Sequence, residues 1–267
     1  NHKRSINARA SYITNKQQLM NFDVDNNDYV LGLFQADHME YHKRANASNQ
    51  PTLAEMTALA IKMMQKEPNG YVLFIEGGRI DHGHHENKAH LALDETVQLS
   101  DAVEMATKMT SEDDTLIVVT ADHAHTMAIN GYPARGSDIF TYLQGTTDNL
   151  TYSTLSYANG PNKGRFKPEG GQHNIVQDQR GDPEYTFQTI NLLPTETHDG
   201  MDVAVYARGP WSHLFVGNYE QTTIPMAISY AARIGPAVER FNLGGADPIS
   251  NSPWGRRRER PRPFYRP

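Results

Sequence analysis

Residues 71–87 read YVLFIEGGRIDHGHHEN. The first six are a continuous apolar run rich in strand formers, the pattern of a central parallel strand covered on both faces. A loop carrying Gly77 and Gly78 is expected to follow, and with it a dense set of metal-capable side chains: Glu76, Asp81, His82, His84 and His85. Ordering so many polar groups costs solvation unless they find partners, so their density points to ligands. Asp81 and His85 are four residues apart, and a single helical turn would aim both at one point, as a borderline cation such as zinc requires.

On either side the pattern alternates. Upstream, YVLGLF at 29–34 reads as a short buried strand. PTLAEMTALAIKMMQKE at 51–67 has the apolar period of an amphipathic helix, with Pro51 suited to its first turn. Downstream, residues 86–110 repeat apolar positions as a long helix does. TLIVVTADHAH at 115–125 then runs a second apolar strand into a second acid and histidine cluster, Asp122, His123 and His125. Both clusters follow the carboxyl ends of predicted strands, the edge where open α/β sheets bind ligands. Asp122 and His123 would face apart in an extended strand, so a turn must bring both to one ion.

The flanks are less regular. Residues 1–28 read as peripheral, with one apolar beat at Tyr12 and Ile13. Residues 131–195 read as a loop-rich insertion. DVAVYARG at 202–209 resumes core-like sequence, and residues 222–235 read as a closing helix stopped by Gly235. The Pro- and Arg-rich residues 241–267 read as a disordered tail.

Composition excludes several function classes. The net charge of −6 and pI near 6.0 argue against a nucleic-acid surface, and the one basic cluster, RRRER at 256–260, sits in the tail. No stretch approaches the roughly 18 apolar residues of a membrane span. With no cysteine, a metal must be held by His, Asp and Glu. Taken singly, each candidate has a plainer explanation: a satisfied structural histidine, Asp122 as a helix cap, Glu76 as a partner for Arg79. His82, His84, His85, His123 and His125, in two strand-end loops with acids in both, favour metal binding over coincidence.

In that order and spacing, EGGRIDHGHHEN, VTADHAH and ETHDGMDVAVYARGP resemble the alkaline phosphatases, particularly the branch shared by animals and some marine bacteria. The resemblance extends over roughly residues 10–235. It implies a three-layer α/β sandwich with a central, mostly parallel sheet, present here as a partial domain. Residues 1–130 and 196–240 would belong to that domain, and 131–195 to a crown-like insertion. Carried over residue by residue, it implies Asp81, His85 and His198 as ligands of one zinc, Asp122 and His123 as ligands of a second, Glu76 as a magnesium ligand, and His82 as a contact to bound phosphate. It implies no direct role for His84 or His125.

The implied chemistry is hydrolysis of small phosphate monoesters through a phosphoserine intermediate. Two zinc ions roughly 3.5–4 Å apart would stabilise the attacking and departing oxygens. The family's nucleophilic Asp-Ser motif does not occur in the chain, which therefore reads as a carboxyl-terminal half, inactive alone. Gln35 and Gln50 stand where animal members place calcium-binding acids, and a neutral amide balances a hard dication poorly, so a calcium site is not expected. The resemblance also implies a homodimer for the full-length protein and an extracytoplasmic location. The alternatives are a phosphodiesterase or sulfatase of the same two-metal superfamily, or a non-catalytic metal-binding partner.

Overall fold

A computed structural model describes residues 8–145, 147, 149–161, 173–235 and 238. The expected disordered tail with its basic cluster and residues 162–172 of the crown-like stretch lie outside the described residues. The chain divides into two compact units, residues 1–106 with 123–202, and residues 107–122 with 203–267. The first unit carries most of the candidate residues.

Its amino-terminal part contains β1 (Ala10–Ile13), α1 (Lys16–Met20), β2 (Tyr29–Gly32) and α2 (Leu53–Met64). β1 and β2 pair in parallel, Ala10 opposite Tyr29 through Ile13 opposite Gly32. α2 begins at a capping box in which Thr52 Oγ1 accepts from the Glu55 amide and the Glu55 carboxylate accepts from the Thr52 amide. Two of the helix's orphan donors are thereby satisfied. Leu59 and Met63 on its inner face pack with Ile13 and Leu19 into one core. Each buried aliphatic side chain there contributes on the order of 1.5–3 kcal/mol. Residues 1–28 are thus not merely peripheral, because Ile13 and Leu19 are core.

The site segment departs from its reading as a loop. α3 (Arg79–His85) is a seven-residue helix. It ends at Asn87, which takes a left-handed φ of 54°. The Asn87 amide donates to the His84 carbonyl at 2.8 Å and the Lys88 amide to the Gly83 carbonyl at 2.9 Å. That pair of bonds is a Schellman motif, with Asn serving where Gly is commonest. α4 (Ala89–Met109) follows at once. Residues 71–76, read as a central strand, lie in no strand among the described residues, and Val72 and Phe74 are exposed. A continuous apolar run shows that a segment is fit for a sheet but not that a neighbour is at hand.

β3 (Ile117–Val119) belongs to the second unit, and the first unit resumes with β4 (Ala124–His125) and β5 (Met127–Ile129). The crown-like stretch holds more regular structure than its Gly, Asn and Pro content suggests: β6 (Tyr142–Gln144), β7 (Thr151–Ser153), β8 (Leu155–Gly160) and β9 (Thr189–Leu192). β6 pairs with β7, and β8 is the middle strand of a sheet ordered β5-β8-β9. Leu155, Tyr157 and Phe187 from this region pack against Ala89 of α4 as a second core. Last in the unit, β10 (His198–Asp199) pairs antiparallel with β4, placing His198 directly opposite His125.

In the second unit β3 pairs antiparallel with β11 (Tyr206–Arg208), and Arg208 bonds Glu112 at 3.0 Å. α5 (Thr223–Ala232) closes with Arg233 in the left-handed region.

Candidate metal centre

Asp81 is the point on which four of the first unit's histidines converge. Its Oδ1 lies 2.9 Å from His125 Nε2, 3.2 Å from His85 Nε2, 3.3 Å from His198 Nε2 and 3.7 Å from His123 Nε2. Three local structures bring this about. α3 presents Asp81 and His85 on one face, four residues apart. His123 immediately precedes β4 and His125 ends it, and both rings turn to Asp81. The β4–β10 pairing then sets His198 against His125 on that side.

The rings pack on one another. His123 and His198 stack with centroids 3.4 Å apart and planes 14° apart. His125 stacks on His84 at 4.7 Å and meets His85, His123 and His198 edge-on at 5.1–5.3 Å. His84 in turn bonds the Tyr157 hydroxyl at 3.0 Å. Burial, and next the neighbouring His125, push His84 down to about 4, which keeps it neutral against the cluster.

Glu196 lies beneath the rings with its side chain fully buried. Its Oε2 is 2.6 Å from His125 Nδ1, while its Oε1 accepts from the Thr126 amide and hydroxyl, both at 2.7 Å. Its backbone carbonyl is 2.6 Å from His85 Nδ1. A carbonyl can only accept, so His85 Nδ1 carries a proton and Nε2 is the nitrogen turned to Asp81. Burial opposes ionisation of Glu196 and Asp81, but hydrogen bonds from His125 and Thr126 in the first case, and the charges of His85 and His125 in the second, outweigh it and lower both. Burial likewise disfavours charge on His125, yet the Glu196 hydrogen bond and the two carboxylate charges raise it.

The donor set fits a borderline cation. The candidate ligand atoms of Asp81, His123, His125 and His198 all lie within 4.8 Å of one another. Two ligands sharing one tetrahedral zinc at about 2.0–2.1 Å stand roughly 3.4 Å apart. The spacings from Asp81 to His85 and to His198 are close to that value.

Of the candidates read from sequence, Asp81, His85, His123 and His198 are gathered here. Glu76 is exposed before α3, its carboxylate against Gly78, and does not belong to the gathered donor set. His82 is not one of the gathered donors and is bonded to Arg79 at 2.8 Å and edge-on to His38 at 4.6 Å. Burial first, then the positive Arg79, lower its proton affinity. Asp122 is exposed and falls in the second unit. Gln35 is exposed, whereas Gln50 is buried with its amide committed in both directions, accepting from the Glu40 amide at 3.0 Å and donating to the Glu40 carbonyl at 2.9 Å. Sequence reasoning gave His125 no direct role and missed Glu196. The available signal was period two: H-x-H in a strand, and E-x-H in ETHDG.

Fold and site together define an α/β protein with a cluster of histidines and carboxylates that could hold a metal ion, at the ends of short strands and one helical turn. A family model for alkaline phosphatase matches residues 3–234, and the chain belongs to that family. The membrane-bound alkaline phosphatase of Bombyx mori is 42% identical over 238 residues, covering 88% of this chain and 43% of the relative. The tissue-nonspecific isozyme of Gallus gallus is 45% identical over 230 residues, covering 85% and 44%. An alkaline phosphatase of Gadus morhua is 41% identical over 234 residues, covering 87% and 49%. The chain thus spans less than half the length of these relatives. Among solved structures, the cold-active alkaline phosphatase of a psychrophilic Shewanella species aligns over 82% of this chain and 58% of its own, with a TM-score of 0.54 and 22% identity, a likeness of fold. Among the described residues no helix is long and apolar enough to cross a membrane.

Proposed function

We propose that this chain supplies the zinc-holding portion of a phosphomonoester hydrolase. The observation that carries the reading is the convergence of His85, His123, His125 and His198 on Asp81. Asp81, His85 and His198 would hold one zinc. Asp122 and His123, adjacent in the chain, are assigned to the second by the motif alone, and Glu76 to a magnesium in the same way. Bound there, the ions would neutralise a phosphate dianion and stabilise the attacking and leaving oxygens.

The chain's own residues do the positioning. Asp81 offers one oxygen as a shared anchor, and His85 is held as the tautomer whose Nε2 is free to coordinate. His198, half-exposed, forms the rim where a phosphoryl group would enter. His82, kept neutral and backed by Arg79, would contact phosphate as a hydrogen-bonding group rather than as a cation. The reaction, small phosphate monoester substrates, a serine nucleophile forming a phosphoserine, homodimerisation and an extracytoplasmic site of action belong to the same proposal and rest on the family. None of the gathered groups is the serine that attacks in the family, so the chain alone is expected to bind without turnover.

Equilibrium dialysis of this chain against zinc, followed by calorimetric titration with inorganic phosphate and with sulfate, tests the reading. Zinc uptake and zinc-dependent phosphate binding, tighter than sulfate binding, are expected. Sulfate preferred over phosphate would favour the sulfatase alternative. Failure to take up zinc would remove the metal reading altogether.

A further inference from the structure

One residue touches two of the converging histidines and is two positions from a third, yet offers Asp81 nothing itself. Glu196 holds the His85 ring through its backbone carbonyl, at 2.6 Å from Nδ1, and its amide donates back to the His85 carbonyl at 3.0 Å. It holds the His125 ring through its side chain, Oε2 to Nδ1 at 2.6 Å. Beyond it, the chain places His198 opposite His125 in the β4–β10 pair. We propose that Glu196 is the positioning residue of the centre, its carboxylate fixing the ring and tautomer of His125 so that Nε2 meets Asp81. This rests on the reading of Asp81 as a metal ligand.

The chemistry requires a carboxylate and not only a polar group of that shape. Both donors of Thr126, amide and hydroxyl, point at Oε1. In Glu196→Gln the amide oxygen must take that position, because an NH₂ group there would meet two donors head-on. The NH₂ is then turned toward His125 Nδ1, where it can only donate. His125 must accept at Nδ1 and place its proton on Nε2, against Asp81. The substitution therefore changes almost no volume, but it removes the acceptor that holds the Nδ1 proton and the ring orientation of His125. A merely structural Glu196 would not care about that loss, whereas a positioning Glu196 would. Partners behind metal-facing histidines act in this manner, and losing one lowers affinity about tenfold to a hundredfold.

The test uses the whole 267-residue chain. Zinc affinity is measured by competition with a chromophoric chelator, and coordination by the visible spectrum of the cobalt-loaded protein. Glu196→Gln is expected to lower zinc affinity at least about tenfold and to alter the cobalt bands. Thr126→Val leaves the Glu196 contact to His125 in place and is expected to keep both near wild type. Wild-type affinity and spectrum in Glu196→Gln would overturn the proposal, as would equal losses in both variants.

A second measurement stands if Glu196→Gln does not fold. In the wild-type chain labelled with ¹⁵N-histidine, the Nδ1 proton of His125, identified by its loss in His125→Gln, is expected to persist through zinc saturation. Its displacement by zinc would place an ion between His85, His125 and Glu196 and overturn the positioning role. If the wild-type chain binds no zinc, the metal-ligand reading of Asp81 fails. Zinc binding indifferent to Glu196 sinks the positioning role alone.

Discussion

Gly83 of α3 lies against the backbone of Ala92 in α4: a β-carbon at Gly83 would stand 2.8 Å from the Ala92 nitrogen and 3.0 Å from its Cα. Helical propensity alone would favour alanine by about 1 kcal/mol. The obstruction is backbone, which cannot rotate aside, so the clash should win. Gly83→Ala is expected to lower stability by about 1–3 kcal/mol. It should also weaken zinc binding, because Asp81 and His85 ride on the displaced turn. A thermal melt and a zinc titration check both, and a higher melting temperature would show that the two helices are not in contact at Gly83.

His198 is the exposed member of the cluster, with about half of its side chain in solvent and Nε2 3.3 Å from Asp81. Its removal should therefore cost little folding energy and much affinity. Zinc at a hundred times its dissociation constant stabilises a folded protein by about 2.7 kcal/mol. That gain should appear as a raised melting temperature in wild type and be largely absent in His198→Ala, whose melt without metal should match wild type. Equal zinc-induced shifts in the two proteins would remove His198 from the ligand set.

The two histidine motifs were legible because their chemistry is carried by side-chain type, which survives ignorance of the fold. Local geometry was less legible. Asn87 in the left-handed region makes α3 a finished helix, yet Asn after a polar run reads as loop. The continuous apolar run of 71–76 announces a strand, but pairing needs a neighbour that no local pattern reveals. Glu196 and the role of His125, a residue counted in the cluster but given no direct part, were not legible because both come from the β4–β10 pairing, a contact between residues about seventy positions apart.

Gly209, in the second unit, sits at φ 103°, and a β-carbon there would stand 2.0 Å from the Thr115 carbonyl oxygen. Both the backbone conformation and the space demand glycine. Gly209→Ala is expected to destabilise the β3–β11 pair by about 2–5 kcal/mol. Amide hydrogen exchange at Val118 should accelerate accordingly, and unchanged protection would show that the close approach is not maintained in solution.

Glu184 ties three segments together. It accepts from Arg44 Nε and Nη2 at 2.5 Å and from Lys88 Nζ at 2.9 Å, while Lys88 also pairs with Glu86 at 2.8 Å. The Arg44 hydrogen bonds, aided by Lys88, hold its carboxyl down at about 2. A carboxylate whose folded value is depressed contributes stability in full above its unfolded value near 4.3, and loses it as pH falls toward 2. The carboxylate is half in solvent, so screening limits the contribution to about 1 kcal/mol or less. Glu184→Gln should thus lower stability slightly at pH 7, and the gap to wild type should close between about pH 4.5 and pH 2. It should also narrow with added salt at pH 7. Denaturant melts of both proteins across that range measure the gap directly. A gap that persists unchanged at pH 2 would mean that packing, rather than charge, accounts for what Glu184 contributes.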